Sequence, residues 1–115
     1  MTMRTWLWTI VCIATAAAVL GAAWFFLAPP QLGGRTEYAV TFGVSMEPHF
    51  RRGDLVVLRT RPTYDVGDVV AYRSHDLGRN VLHRIIGIRD GLYTFKGDNN
   101  GFVDPEHPTA GDLVG

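Results

Sequence analysis

Val81-Leu82-His83-Arg84-Ile85-Ile86-Gly87-Ile88-Arg89-Asp90-Gly91-Leu92-Tyr93-Thr94-Phe95 is the stretch that decides the fold. Residues 81–88 and 92–95 are rich in β-branched and aromatic side chains, and Asp90-Gly91 between them tolerates the positive φ angles of a type I′ turn, so the stretch predicts a β-hairpin. Working outward, residues 38–42, 55–58 and 69–72 have the same composition and are separated by glycine, aspartate or proline, which predicts three further short strands. Gly53-Asp54 and Gly67-Asp68 each precede an apolar strand and read as turn chemistry rather than as active-site carboxylates. No amphipathic helix and no internal repeat follows residue 30, so the domain is expected to be mainly β.

The N-terminus has a different character. Residues 6–28 carry no charge, and only Thr9 and Thr15 bear hydroxyls, a run long enough to cross a hydrocarbon layer of ~30 Å. Trp6 and Trp8 at one end and Trp24, Phe25 and Phe26 at the other resemble interfacial aromatic belts. A cleavable leader has an apolar region of roughly 7 to 15 residues, so the longer run predicts a retained transmembrane anchor over residues 1–28. Pro29-Pro30 ends that helix, 29–36 reads as a linker, and 37–115 as the β domain. The only cysteine, Cys12, lies in the apolar run, so no intrachain disulfide is possible. Eleven basic and eleven acidic residues give a net charge of zero. Dispersed in this way they leave no footprint for nucleic acid. Arg4 and the amino terminus stand against Arg35, Arg51 and Arg52 beyond the anchor, so charge alone does not orient it.

Chemistry centres on Ser45, in the turn Gly43-Val44-Ser45-Met46-Glu47-Pro48. A serine hydroxyl is a poor nucleophile until a neighbouring base takes its proton, and imidazole titrates close enough to neutrality to do so. Alternation puts His83 on the same strand face as Val81 and Ile85, where it must either hydrogen-bond structurally or act. His49, His75 and His107 lack such a setting. Asp98 and Asp104 follow the hairpin, and either could orient His83; Pro105 biases Asp104 toward extended backbone. Lys96, the only lysine, offers a Ser/Lys alternative. The histidines lack paired ligand spacing, so no metal and no other cofactor is expected.

Taken in order, Ser45-Met46-Glu47-Pro48, Arg52-Gly53-Asp54-Leu55-Val56, Gly67-Asp68-Val69-Val70-Ala71-Tyr72, His83-Arg84-Ile85-Ile86 and Phe95-Lys96-Gly97-Asp98-Asn99-Asn100 with Asp104 resemble the boxes of a type I signal peptidase. With histidine at position 83 in place of the usual bacterial lysine, the resemblance is closer to the archaeal, endoplasmic-reticulum-type and sporulation-type Ser/His branch. It implies a signal-peptidase-like β catalytic domain preceded by one transmembrane helix. It also implies a membrane-bound serine endopeptidase that removes signal peptides from exported preproteins, single-pass in the cell membrane, with its catalytic domain outside the cytoplasm. Ser45 would attack, His83 act as base and Asp104 orient the imidazole, with Asp98 as an alternative or supporting carboxylate. Small residues are implied before the cut, and Phe42 and Met46, with Phe50, could shape that pocket or touch the lipid bilayer.

Two features depart from the pattern. Many such enzymes have glycine directly before the nucleophile and a hydroxyl residue before that, whereas Gly43-Val44 stand here, so position 43 offers no side-chain oxyanion donor. Such enzymes also continue past the equivalent of Gly115 into at least one more strand, which predicts a domain truncated at its C-terminus. Two other readings compete: a membrane-anchored β domain that binds partners without catalysis, and a repressor-type self-cleaving Ser/Lys protease. The anchor, the absence of a helix-turn-helix segment and the histidine at 83 weigh against the second.

Overall fold

Helix α1 spans Met3–Leu27 in the computed structural model, which describes residues 2–115. It starts one turn before Trp6, because nothing in 3–5 breaks a helix. It stops at Leu27, since Pro29 disfavours helical backbone at Ala28. Its 25 residues extend about 37 Å at the α-helical rise. With a mean hydropathy of 2.3, it is the one helix among the described residues long and apolar enough to cross a membrane. The hydroxyls of Thr5, Thr9 and Thr15 donate back to the carbonyls of Thr2, Thr5 and Val11 at 2.6, 2.9 and 2.9 Å. Each hydroxyl is thereby satisfied within the helix, as an apolar surrounding requires.

Residues 29–36, which the sequence predicts as a linker, fold back on the helix end. A 3-10 turn over Pro30–Leu32 is closed by Gly33 at φ 80°, a left-handed angle that favours glycine. Trp24 Nε1 donates to Leu32 O at 3.1 Å. The Thr36 amide reaches Ala28 O at 3.2 Å and its hydroxyl donates to Phe26 O, leaving Thr36 buried. The chain divides into two compact units, Met1–Thr36 and Glu37–Gly115.

In the second unit β1 (Glu37–Val40) and β2 (Leu55–Leu58) form an antiparallel pair. β3 (Val69–Ser74), β4 (Arg79–Arg89) and β5 (Leu92–Lys96) form an antiparallel sheet in that order. The β4–β5 turn has both Asp90 (φ 51°) and Gly91 (φ 76°) in the left-handed region, the conformation that Asp-Gly predicts. β3 and β4 extend beyond the expected 69–72 and 81–88, because a turn containing Gly78 at φ 62° lets the ladder close as far as Ser74 and Arg79. β1 is shorter than expected: Thr41 leaves the ladder to hold the Gly53-Asp54 turn, accepting from the Gly53 amide at 2.7 Å and donating its own amide to Asp54 O at 3.0 Å. Both Gly-Asp pairs do serve turns. Asp54 Oδ2 accepts the Arg51 amide at 2.8 Å and Asp68 Oδ2 the Asp65 amide at 3.0 Å, while Gly53 and Gly67 lie at φ 91° and 101°.

The core follows from strand alternation. Val70 and Tyr72 on β3, Ile85 on β4 and Phe95 on β5 point to one side and pack with Tyr64 and Leu113. The Tyr72 and Phe95 rings lie 4.5 Å apart in a tilted stack. The C-terminal residues close the other edge of β3, with Val114 N donating to Ala71 O and Ala71 N to Gly115 O, both at 2.8 Å.

Candidate active site

Alternation along β4 turns Val81, His83 and Ile85 inward, as expected, and leaves His83 8% exposed beside the core. Its Nε2 lies 2.9 Å from Ser45 Oγ and its Nδ1 2.5 Å from Asp104 Oδ2. The same carboxylate oxygen accepts the Tyr72 hydroxyl at 2.9 Å. With two donors converging on Oδ2, the proton of a neutral imidazole belongs on Nδ1, which leaves the Nε2 lone pair to accept from Ser45. Serine, histidine and aspartate therefore stand in the order that proton removal from a nucleophilic hydroxyl needs.

Each member is held by backbone as well as side chain. The Asp104 amide donates to Phe95 O at 2.8 Å, tying the carboxylate to the end of β5. Glu106, two residues on, accepts the Ser74 hydroxyl and the amides of His75 and Asp76, which fixes this segment against the β3–β4 turn. The Ser74 bond, ahead of those two amides, holds the Glu106 carboxyl below the usual range. Ser45 sits in overlapping turns closed by Glu47 N to Val44 O (3.1 Å) and Phe50 N to Met46 O (3.0 Å).

The Gly97-Asp98-Asn99-Asn100 turn clasps that loop from behind. Asn99 N donates to Ser45 O at 2.7 Å, Asn99 Nδ2 to Val44 O at 3.0 Å, and Asp98 N approaches Met46 Sδ at 3.4 Å. Gly97 is required by close approach: a Cβ there would stand 2.8 Å from Ser45 O and 2.7 Å from Asn100 Nδ2. Gly97→Ala should therefore push the serine backbone out of line with His83 and cut turnover by roughly a hundredfold. Steady-state rates of the purified variant against wild type check this, and unchanged turnover would remove the turn from the site.

Asp98 does not face the imidazole. It forms a bidentate pair with Arg84, Nε to Oδ1 at 2.8 Å and Nη2 to Oδ2 at 2.7 Å, and His49 Nδ1 stands 3.0 Å from Oδ2. Arg84 is one residue past His83 and so projects from the opposite face of β4, where its Nη1 also donates to Gly67 O at 2.6 Å. The Arg84 hydrogen bonds, ahead of the charges of Arg84 and His49, hold the Asp98 carboxyl below its ordinary range. His49, set aside in the sequence for want of a strand, is thus the second partner of Asp98. Tyr72 was not singled out either, although a phenol on a buried strand calls for a hydrogen-bond partner.

A cleft of about 530 Å³ opens onto Ser45 and His83. Ala39, Val56, Leu58, Val81 and Leu82 line it, together with Phe42, Met46 and Phe50 around the Ser45 loop. Phe42 is 77% exposed at the rim, whereas Met46 is 4% exposed and supports the loop. The partner of the Ser45 hydroxyl is His83 and not Lys96, which ends β5 opposite Arg84. Among the described residues no cluster of three or more histidine, cysteine, aspartate or glutamate side chains is placed to hold a metal ion.

Ser45, His83 and Asp104, with this cleft on a small β domain, are arranged as in a serine hydrolase. No protein-family model matches the chain. It is 34% identical over 104 residues to the signal peptidase complex catalytic subunit SEC11 of Komagataella phaffii, covering 79% of this chain and 60% of that one. Identity to the same subunit of Clavispora lusitaniae is 31% over 109 residues, covering 90% and 65%. To that of Verticillium alfalfae it is 43% over 75 residues, covering 58% and 43%. Over most of its own length the chain is thus similar to signal peptidase complex catalytic subunits. It spans 43 to 65% of the length of these three relatives.

Proposed function

We propose that this protein is a membrane-bound serine endopeptidase that removes signal peptides from exported preproteins. The observation that carries the reading is the Ser45–His83–Asp104 arrangement, with contacts of 2.9 and 2.5 Å, at the mouth of an apolar cleft. His83 Nε2 takes the proton as Ser45 Oγ attacks the scissile carbonyl, and Asp104 holds the imidazole in the productive tautomer and stabilises the imidazolium. The tetrahedral oxyanion is met by the Ser45 amide, since Gly43 supplies no side-chain donor. His83 then delivers its proton to the leaving amine, and water hydrolyses the acyl-enzyme by the same route.

The apolar cleft favours an extended, apolar peptide, with Phe42 bordering the residues before the cut and Met46 supporting the loop beneath them. The relatives are named as subunits of a complex, so this chain is proposed to work with partner subunits as well as with the bilayer. The function is tested by incubating the full chain in detergent with an exported preprotein and sequencing the new N-terminus. Cleavage at the end of the signal peptide is expected, and an intact preprotein would refute it. The β domain is proposed to lie on the extracytoplasmic side of the membrane, since its substrates are exported. A reporter fused after Gly115 should then be active only in that compartment; cytoplasmic activity would reverse the assignment.

A further inference from the structure

Tyr72 and His83 compete for one oxygen. Asp104 Oδ2 accepts Nδ1 at 2.5 Å and the Tyr72 hydroxyl at 2.9 Å, in a pocket where Tyr72 is 3% and Asp104 4% exposed. The phenol cannot swing away, because its ring stacks on Phe95 at 4.5 Å and its strand is paired on both sides, with Val81 and with Leu113. Phe95 in turn supplies the carbonyl that receives the Asp104 amide. One aromatic pair therefore fixes the carboxylate at both its backbone and its side chain.

We infer that Tyr72 is a positioning residue for the triad: its hydroxyl fixes the Asp104 carboxylate and draws charge from the oxygen that faces His83. A donor on Oδ2 has two consequences. It holds the carboxylate plane in register with Nδ1, and it weakens the pull of that oxygen on the imidazolium that forms as His83 takes the serine proton. Burial, ahead of the bond to Asp104 and the charges of Asp104, Glu106 and Asp76, pushes the Tyr72 phenol well above its ordinary range, which keeps it protonated as a donor. Those carboxylates and the Ser45 hydroxyl surround the pair on its own side. Arg84, on the far face of β4, is paired with Asp98.

The inference rests on the serine-protease reading, and Tyr72→Phe tests it in the full chain in detergent. Phenylalanine keeps the ring against Phe95 and deletes only the donor. Two reactions are followed against pH: preprotein cleavage, giving kcat and KM, and covalent labelling of Ser45 by a fluorophosphonate, which needs no peptide recognition. In both, the acid limb should rise by about one pH unit, while plateau kcat falls about tenfold at unchanged KM, the scale of one hydrogen bond to a charged group. A purely structural role would lower the thermal midpoint and leave the limb in place. A variant with the wild-type limb in both reactions overturns the inference. If the wild type labels but does not cleave preprotein, the signal-peptide reading falls and the labelling profile still decides the role of Tyr72. If Ser45 neither labels nor cleaves, it is not activated and both readings fall together.

Discussion

Replacing Ser45 by alanine should reduce preprotein cleavage by roughly a million-fold, leaving only the residual rate that binding and the oxyanion donor supply, while the melting curve stays unchanged within a few degrees. The rate argument is that nothing else at the mouth of the cleft can attack. The Ser45 hydroxyl is the group 2.9 Å from His83 Nε2, and a water admitted into its place would lack the turn that holds it. The stability argument is that the loop stays up without the hydroxyl. Its anchors are bonds to its main-chain carbonyls, Asn99 N to Ser45 O and Asn99 Nδ2 to Val44 O, together with buried Met46, and none of these involves Oγ. Cleavage assayed on gels and a thermal scan of the same preparation check both halves. Full activity in the variant would show that Ser45 is not the nucleophile and would overturn the serine-protease reading.

The proposed nucleophile and base were legible because each is written in local sequence. A glycine-containing turn before Pro48 presents Ser45, and strict alternation from Val81 to Ile85 decides which way His83 points. The residues alone left the orienting carboxylate open, although the resemblance favoured Asp104, because Asp98 and Asp104 both follow β5 and their directions depend on what the intervening chain packs against. Asp98 stays with the 97–100 turn, where Asn99 reaches the Ser45 loop, and so falls on the Arg84 side of β4. Asp104 returns to the Phe95 carbonyl on the His83 side. The shift in the β4–β5 register between Ile85 and Gly87 adds to the difficulty, since it alters which residues share a face beyond His83. Tyr72 escaped notice for a related reason: its strand could be predicted, but the pairing that sets it over Asp104 joins residues 32 positions apart.

Asp104→Asn should lower kcat by roughly ten-thousand-fold with a near-normal thermal midpoint, whereas Asp98→Asn should lower the midpoint by roughly 5 °C and activity far less. An asparagine at 104 keeps the volume, and an amide nitrogen in the place of Oδ2 can donate to the Tyr72 hydroxyl oxygen. An amide nitrogen turned toward His83 needs an acceptor, so it favours the tautomer with the proton on Nε2, the wrong nitrogen for taking one from Ser45. The effect is on chemistry, and the fold keeps its Asp104 backbone bond to Phe95. At position 98 the same change breaks a bidentate pair that joins β4 to the turn behind the nucleophile, and it removes the anionic partner of His49. Because Asp98 is held below its ordinary range in the folded state, its contribution to stability is present above about pH 4 and is lost as pH falls through the folded value. The midpoints of wild type and Asp98→Asn should therefore converge under acid conditions, while those of wild type and Asp104→Asn stay close at neutral pH. Near-normal turnover in Asp104→Asn would remove that residue from the triad, and a pH-independent gap between wild type and Asp98→Asn would show that the Arg84 pair is not what the asparagine breaks.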